Sequence, residues 1–160
     1  FYVITCNTAH FFYDDLQKLT KKPIINMIEL VENKLNKIKK PSTIGIFATE
    51  GTIKSKLFNN IIERCSHKAF VSSRKIQDNI NECLYGDVKE KGTINFERYH
   101  NTLKEMMDQG CDYIIIGCTE ASYINSKDEN SNLYPLIDSE KELVNESLKL
   151  GLKLQKNIEI

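Results

Sequence analysis

The chain has 160 residues, of which 41% are hydrophobic and 28% are charged, so it can fold as one globular domain or as two small lobes. Its 22 Lys and Arg residues balance 22 Asp and Glu residues, and a net charge of zero argues against a nucleic-acid partner, whose phosphates need a basic face. No apolar run approaches the roughly 20 residues of a membrane-spanning helix, which argues against a membrane partner.

The cysteine pattern indicates free thiols. There are five cysteines, an odd number at irregular spacing, which is not typical of a disulfide framework. The sequence contains no CxxC pair, so we expect no structural zinc and no other metal. A reducing, cytoplasmic compartment is therefore expected. The cysteines are Cys6, Cys65, Cys83, Cys111 and Cys118.

Short apolar runs alternate with helical patterns along the chain. Strands are predicted at 1–5, 24–27, 43–48, 68–72, 112–117 and 133–137. Helices are predicted at 10–19, 28–38, after 57, around 76–84, at 96–110 and from 139 onward. The segment 49–52 is expected to form a tight loop, and 125–132 a polar loop. This alternation predicts an α/β fold with a parallel sheet and a site at the carboxyl ends of its strands.

Two predicted strands end in the same way. The first is followed by Cys6-Asn7-Thr8-Ala9 and the other by Cys118-Thr-Glu-Ala. This weak internal repeat suggests two similar lobes that each present one cysteine. At a helix N-terminus, free N–H groups and the positive dipole end are expected to lower the pKa of a thiol and can hold a carboxylate. Buried packing is the alternative role of a cysteine, and it is the one we expect for the other three.

Six motifs occur in an order that resembles a known enzyme superfamily. They are Cys6-Asn7-Thr8-Ala9-His10, Ile24 to Glu29, Ala48 to Thr52, Tyr85 to Lys89, Gly117 to Glu120 and Leu136 to Ser139. Together they resemble the aspartate/glutamate racemase superfamily. The aspartate racemase branch is the most similar, because Glu120 stands where glutamate racemases usually have His.

The resemblance implies two pseudo-symmetric lobes, each a parallel sheet flanked by helices, with the site in the cleft between them. Residues 1–40 and 134–160 would form a partial first lobe, and 41–133 the second lobe. Members of the superfamily usually carry a further segment before the first cysteine motif, so the first lobe is expected to be incomplete. We therefore expect the 160-residue chain to be a poor racemase that dimerises, aggregates or melts early, and a homodimer is one possible state.

The activity implied is racemisation of aspartate, or of a close acidic amino acid, without a cofactor. Cys6 and Cys118 would be the catalytic residues, one removing the α-proton as a thiolate and the other protonating the opposite face. The resemblance also implies a set of substrate-binding residues, with Lys89 near the substrate carboxylate. The set comprises Asn7, Thr8, Thr49, Thr52, Lys89, Thr119 and Glu120.

Simpler roles stand beside these. Thr8 and Thr119 could only cap helices, Thr49 and Thr52 could only close a turn, and Lys89 could be a surface residue. His10 is interpreted as a first-turn helix residue rather than a base. Ser139 is expected to cap the last helix, with Glu142 completing a capping box.

Two further functions are compatible with this sequence. One is a superfamily enzyme with another substrate, such as glutamate, hydantoin or maleate. The other is a non-catalytic protein that binds an amino acid.

Overall fold

The computed structural model describes residues 1–156 and contains six strands and eight α-helices in that range. The strands are β1 (Tyr2–Val3), β2 (Ile24–Ile25), β3 (Thr43–Phe47), β4 (Lys68–Ala69), β5 (Tyr113–Ile116) and β6 (Leu136–Asp138). The helices are α1 (Tyr13–Lys18), α2 (Met27–Leu35), α3 (Glu50–Ser55), α4 (Leu57–Arg64), α5 (Arg74–Asn81), α6 (Phe96–Asp108), α7 (Thr119–Lys127) and α8 (Ser139–Lys156). A π-helix spans Glu82–Glu90, and 3₁₀ turns span Thr8–Phe12 and Ser131–Leu133.

The strands form two parallel sheets. In the smaller sheet β1 pairs with β2, with Tyr2 opposite Ile24. In the larger sheet the strand order is β4-β3-β5-β6, and every neighbouring pair is parallel. The predicted α/β fold with parallel sheets flanked by helices is therefore confirmed.

The core lies on both faces of the larger sheet, because consecutive side chains of a strand point to opposite faces. On one face Ile115 packs with the buried side chains of α2 and α4. On the other face Ile114 and Ile116 pack with α5 and α6, where Phe47 meets the ring of Tyr99 edge-on at a centroid distance of 5.3 Å. Burial on both faces explains why β3 and β5 are continuous apolar runs.

The smaller sheet packs on the two helices that flank it. Ile25 and Met27 form a buried cluster with Leu143 of α8. An ion pair between Lys34 of α2 and Glu142 of α8, at 3.0 Å, lies beside it. Helix α8 therefore joins the unit of β1 and β2.

The boundary predicted at residue 134 is wrong for β6. That strand pairs with β5 in the larger sheet, with Ile115 opposite Ile137. The order of strands and helices along the chain does not reveal which sheet a strand joins. Residues 157–160 of the predicted segment lie outside the described residues.

Three local predictions also need correction. The segment 49–52 is the start of α3, with Thr49 as its N-cap, rather than a loop. Helix α7 continues to Lys127, so the polar loop begins later than residue 125. Asp138 caps α8 in place of Ser139, since its Oδ1 accepts hydrogen bonds from the backbone N–H groups of Glu140 and Lys141.

Ser139 instead donates its hydroxyl hydrogen to the carbonyl of Ile116, at 2.9 Å, and so ties α8 to β5.

Within residues 1–156, no helix is both long enough and apolar enough to cross a membrane.

Candidate active site

A small cavity lies where β1, β3 and β5 end and their following helices begin. Its volume is about 170 Å³. All nine residues predicted for the site line it, together with Tyr85 and Gly117. The lining residues are Cys6, Asn7, Thr8, Thr49, Thr52, Tyr85, Lys89, Gly117, Cys118, Thr119 and Glu120. Residues separated by more than a hundred positions thus meet at one place, as the carboxyl ends of parallel strands require.

A buried histidine fixes the segment that carries Cys6. The Nε2 atom of His10 accepts a hydrogen bond from the backbone N–H of Met27 at 3.1 Å, so the proton of the neutral ring is on Nδ1. That Nδ1 donates to the carbonyl of Cys6 at 2.8 Å. Both ring nitrogens are therefore engaged in holding Cys6 against the start of α2, which agrees with a structural role for His10.

Three threonines connect the segment after β1 with the segment after β3 across the cavity. The hydroxyl groups of Thr8 and Thr52 lie 2.8 Å apart, and those of Thr49 and Thr52 lie 3.2 Å apart. Thr49 also accepts a hydrogen bond from the backbone N–H of Thr52, at 3.4 Å. The two threonines at the start of α3 therefore stabilise that helix and also hold Thr8, which follows β1.

Asn7 is the buried polar side chain of the cavity with unused hydrogen-bonding capacity. It is 3% exposed, and neither its amide nitrogen nor its amide oxygen has a hydrogen-bond partner among residues 1–156. Buried amides without partners are rare and costly, so they call for an explanation such as an unoccupied binding site.

Cys118 belongs to a chain of polar contacts. Its Sγ donates to Oε2 of Glu120 at 2.6 Å, and the hydroxyl of Thr119 donates to the same oxygen at 3.2 Å. The other oxygen of Glu120 pairs with Nζ of Lys89 at 3.1 Å. Lys89 in turn lies over the ring of Tyr85, with Nζ 4.9 Å from the centroid.

These contacts shift the pKa values of the group. Burial, followed by the hydrogen bond to Glu120, raises the pKa of Cys118 from 9.0 to about 12. Burial alone would raise the pKa of Glu120, but its hydrogen bonds, including those from Cys118 and Lys89, outweigh burial and lower it. The hydrogen bond to Glu120 raises the pKa of Lys89. Cys118 is thus a neutral thiol beside an ionised carboxylate.

The expectation that a helix N-terminus lowers the pKa of this thiol is wrong for Cys118. Backbone N–H groups of Glu120 and Ala121 do lower it, but burial and the nearby carboxylate have the larger effect. Sequence position could identify the helix N-terminus, whereas the depth of burial depends on the tertiary structure.

The remaining cysteines lie away from the cavity. Cys83 and Cys111 are buried in the core, and burial raises the pKa of each to about 12. Cys65 is half-buried at the end of α4, where its Sγ lies 3.8 Å from the carbonyl of Glu32. The prediction that these three thiols pack rather than react agrees with these positions.

A larger cavity and the arrangement of possible metal ligands were compared with this site. A larger cavity of about 620 Å³ shares Thr119 with the site but contains neither cysteine of the smaller cavity. Among residues 1–156, no group of three or more His, Cys, Asp or Glu side chains is arranged to hold a metal ion. The small cavity contains both Cys6 and Cys118.

Comparison with known proteins identifies the family to which the chain belongs. Residues 1–147 match the family described as Asp/Glu/Hydantoin racemase. The chain belongs to this family, and the predicted superfamily is confirmed.

The similar proteins are racemases of more than one kind. A "Broad specificity amino-acid racemase RacX" from Bacillus subtilis is 24% identical over 97% of this chain and 66% of its own length. A glutamate racemase from Persephonella marina is 30% identical over 87% of this chain and 53% of its own length. The chain thus spans between about half and two thirds of the length of these relatives.

Solved structures show the same fold. An aspartate racemase from Picrophilus torridus has a TM-score of 0.66 at 22% identity, over 86% of this chain and 55% of its own. An aspartate racemase homologue from Pyrococcus horikoshii has a TM-score of 0.73 at 17% identity, over 92% and 65%.

Proposed function

We propose that this chain carries the two-thiol site of a cofactor-independent amino-acid racemase that acts on aspartate or a close acidic amino acid. The observation that carries the proposal is that Cys6 and Cys118, each following a strand of a different sheet, line one cavity. Two acid–base groups on opposite sides of a carbon give inversion directly, whereas a single base tends to return the proton to the face it left.

The protonation of Cys118 assigns a direction to the first step. With a pKa of about 12, Cys118 keeps its proton near neutral pH and acts as the acid. Cys6, as a thiolate, takes the α-proton of the substrate, and Cys118 delivers its own proton to the opposite face. The product has inverted configuration. Cys118, having given up its proton, is then the base for the second enantiomer, and Cys6, which now holds a proton, is the acid.

Glu120 fixes the orientation of the acidic thiol. Its carboxylate accepts the thiol hydrogen of Cys118 at 2.6 Å and so orients the S–H bond. The α-proton of an amino acid is far less acidic than a thiol, so the site must also stabilise the carbanion-like state. The amide of Asn7, which has no partner among residues 1–156, and the hydroxyls of Thr8 and Thr52 are donors at the cavity that can bind the α-carboxylate.

Lys89 is the cation available to an acidic side chain of the substrate. Its ammonium group lies at the cavity, 3.1 Å from Glu120, and its side chain is 45% exposed. A charge-assisted hydrogen bond from an ammonium to a carboxylate is roughly twice as strong as a neutral one. This supports a dicarboxylic substrate.

The Lys89–Glu120 pair also favours a second candidate, a racemase of broader specificity. The positive charge of Lys89 is already balanced by Glu120, so the cavity does not require an anionic side chain. The RacX relative from Bacillus subtilis is described as broad in specificity.

A substrate panel tests both candidates. L-aspartate, L-glutamate and L-alanine are incubated with the chain, and the D-enantiomers are measured by chiral chromatography. The first candidate predicts that aspartate is converted fastest and that Lys89→Ala lowers kcat/KM for aspartate about tenfold or more, and for alanine much less. Lys104→Ala is the matched control, since Lys104 pairs with Asp108 on the exposed face of α6.

Equal losses on aspartate and alanine in the Lys89 variant would contradict a role in side-chain recognition and favour broad specificity. Binding of aspartate without any conversion would indicate a non-catalytic binding protein.

A further inference from the structure

The residues Tyr85 and Lys89 reach the cavity from an unusual element. Both lie on the π-helix Glu82–Glu90, which runs on directly from α5. In a π-helix the backbone hydrogen bonds run from i to i+5, a pattern that is rare beyond a single turn and is frequent at functional sites. A return to α-helical register would turn Lys89 relative to the cavity, so something must hold the wider register in place.

Asp87 lies between these two residues in sequence but does not line the cavity. Its side chain is 7% exposed and faces two cations. Oδ2 accepts from Nε of Arg98 on α6 at 3.1 Å, and Oδ1 accepts from Nζ of Lys91 at 3.2 Å. A buried carboxylate held by two cations from different segments fixes the backbone that carries it.

The main chain of Asp87 is held as well. Its carbonyl accepts the backbone N–H of Thr93 at 2.9 Å and the hydroxyl of Thr93 at 3.4 Å. The segment after the π-helix therefore folds back onto Asp87. Together with Arg98 and Lys91, Thr93 fixes the π-helix at a residue two positions before Lys89.

From this arrangement we infer that Asp87 is a positioning residue for Lys89. The carboxylate of Asp87, held by Arg98 and Lys91, keeps the π-helical register in which Lys89 meets Glu120 and the substrate. The inference rests on the proposed function for its consequence in catalysis. Its structural part, the dependence of Lys89 on Asp87, stands independently.

The test uses Asp87→Asn, which removes the charge and keeps the shape. Asp78→Asn is the matched control, because Asp78 also accepts from Nε of an arginine, Arg74, at 2.9 Å but lies 53% exposed and away from the cavity. The first readout is acylation of Lys89 by an N-hydroxysuccinimide ester, measured by mass spectrometry with Lys149 as the internal reference.

Loss of the Lys89–Glu120 pair removes the main cause of the raised pKa of Lys89, so the freed amine reacts faster. We expect Lys89 to be acylated several-fold faster in Asp87→Asn than in Asp78→Asn, with Lys149 unchanged. Equal rates for Lys89 in the two folded variants would overturn the inference.

If Asp87→Asn does not fold, Lys91→Met decides the question. Lys91 is 55% exposed, and its loss removes one of the two cations that hold Asp87. The acylation of Lys89 should again rise, by a smaller factor, and no rise would overturn the inference.

The second readout is kinetic and separates positioning from general stability. In Asp87→Asn the KM for aspartate should rise about 3- to 10-fold with a smaller change in kcat, and adding Lys89→Ala should cost little more, as expected for coupled residues. Additive losses would overturn the inference. If the unmodified chain does not racemise any amino acid, the proposed function fails, whereas the acylation result still decides the role of Asp87.

Discussion

Cys6 and Cys118 follow parallel strands in the same way, yet their surroundings differ. Cys118 follows a strand at the centre of a four-stranded sheet, is 7% exposed and has its pKa raised by burial to about 12. Cys6 follows a two-residue strand whose residues are both exposed, and Cys6 is exposed as well. Equivalent positions in the chain therefore give two thiols with different access to solvent.

The two sheets explain the difference. Strands β3 and β5 have a neighbour on each side and helices on both faces, so that nearly all of their residues are buried. Strands β1 and β2 pair only with each other among the described residues, and Phe1, Tyr2 and Val3 are more than one third exposed. The two sheets therefore place one thiol in a buried environment and the other in an exposed one.

The largest expected effect comes from removing either thiol. Cys6→Ala and Cys118→Ala should each lower the rate of racemisation roughly 10²- to 10⁴-fold, because each removes a positioned acid or base that both directions require. Chiral chromatography of aspartate measures the rate. Cys65→Ala is the control, since Cys65 is half-buried and lies outside the cavity. A thiol variant that keeps more than about a tenth of the activity would show that the two thiols are not both required for racemisation.

A second prediction concerns the stability of the two sheets. Amides of β1 should exchange with solvent about 100-fold faster than those of β3 and β5, because both residues of β1 are exposed and an exposed strand opens locally at low free energy. Hydrogen exchange followed by mass spectrometry measures this. Similar protection in both sheets would indicate that the smaller sheet is covered in solution, for example by a second copy of the chain.

The smallest expected effect concerns the pKa of Cys118. Replacing Glu120 by Gln removes the charge that, after burial, raises this pKa, so the pKa should fall while burial keeps it above its ordinary value of 9.0. Alkylation of Cys118 by iodoacetamide near pH 9 should then be several-fold faster. The pH dependence of alkylation, read from the Cys118 peptide, measures the shift, and an unchanged profile would mean that burial alone sets it.

The raised pKa of Cys118 also makes the stability of the folded state depend on pH. The folded state binds the proton of Cys118 more tightly than the unfolded state, in which the pKa is near 9.0. The stabilisation is therefore complete below about pH 9 and is lost as the pH rises toward 12.

Much of the fold and the membership of the site could be predicted from the sequence. The apolar runs of β3 and β5 indicate a buried parallel sheet, and the motifs after β1 and β5 indicate that each sheet presents one cysteine. The other predicted site residues are implied by the resemblance to the aspartate/glutamate racemase superfamily. All nine predicted residues do line one cavity. Strand ends and local motifs are properties of short segments, so they can be identified from the sequence.

The rest depends on contacts between distant segments. Neither the pairing of β6 with β5 nor the burial that raises the pKa of Cys118 follows from local pattern. The segment around Tyr85 matched a motif, but its π-helical register depends on Arg98 of another helix holding Asp87. Tyr85, which lies four residues before Lys89 within that motif and lines the cavity, is not among the predicted site residues.

The central claim is that two thiols from two units act on one carbon, and solvent deuterium tests it most directly. The chain is incubated with L-aspartate in D₂O, and the D-aspartate formed is analysed by NMR. The account predicts that the product carries deuterium at the α-carbon, because its new proton comes from the second thiol after exchange with solvent, and that neither Cys6→Ala nor Cys118→Ala forms labelled D-aspartate. D-aspartate that keeps the original α-proton, or labelled product from either variant at the unmodified rate, would contradict the account.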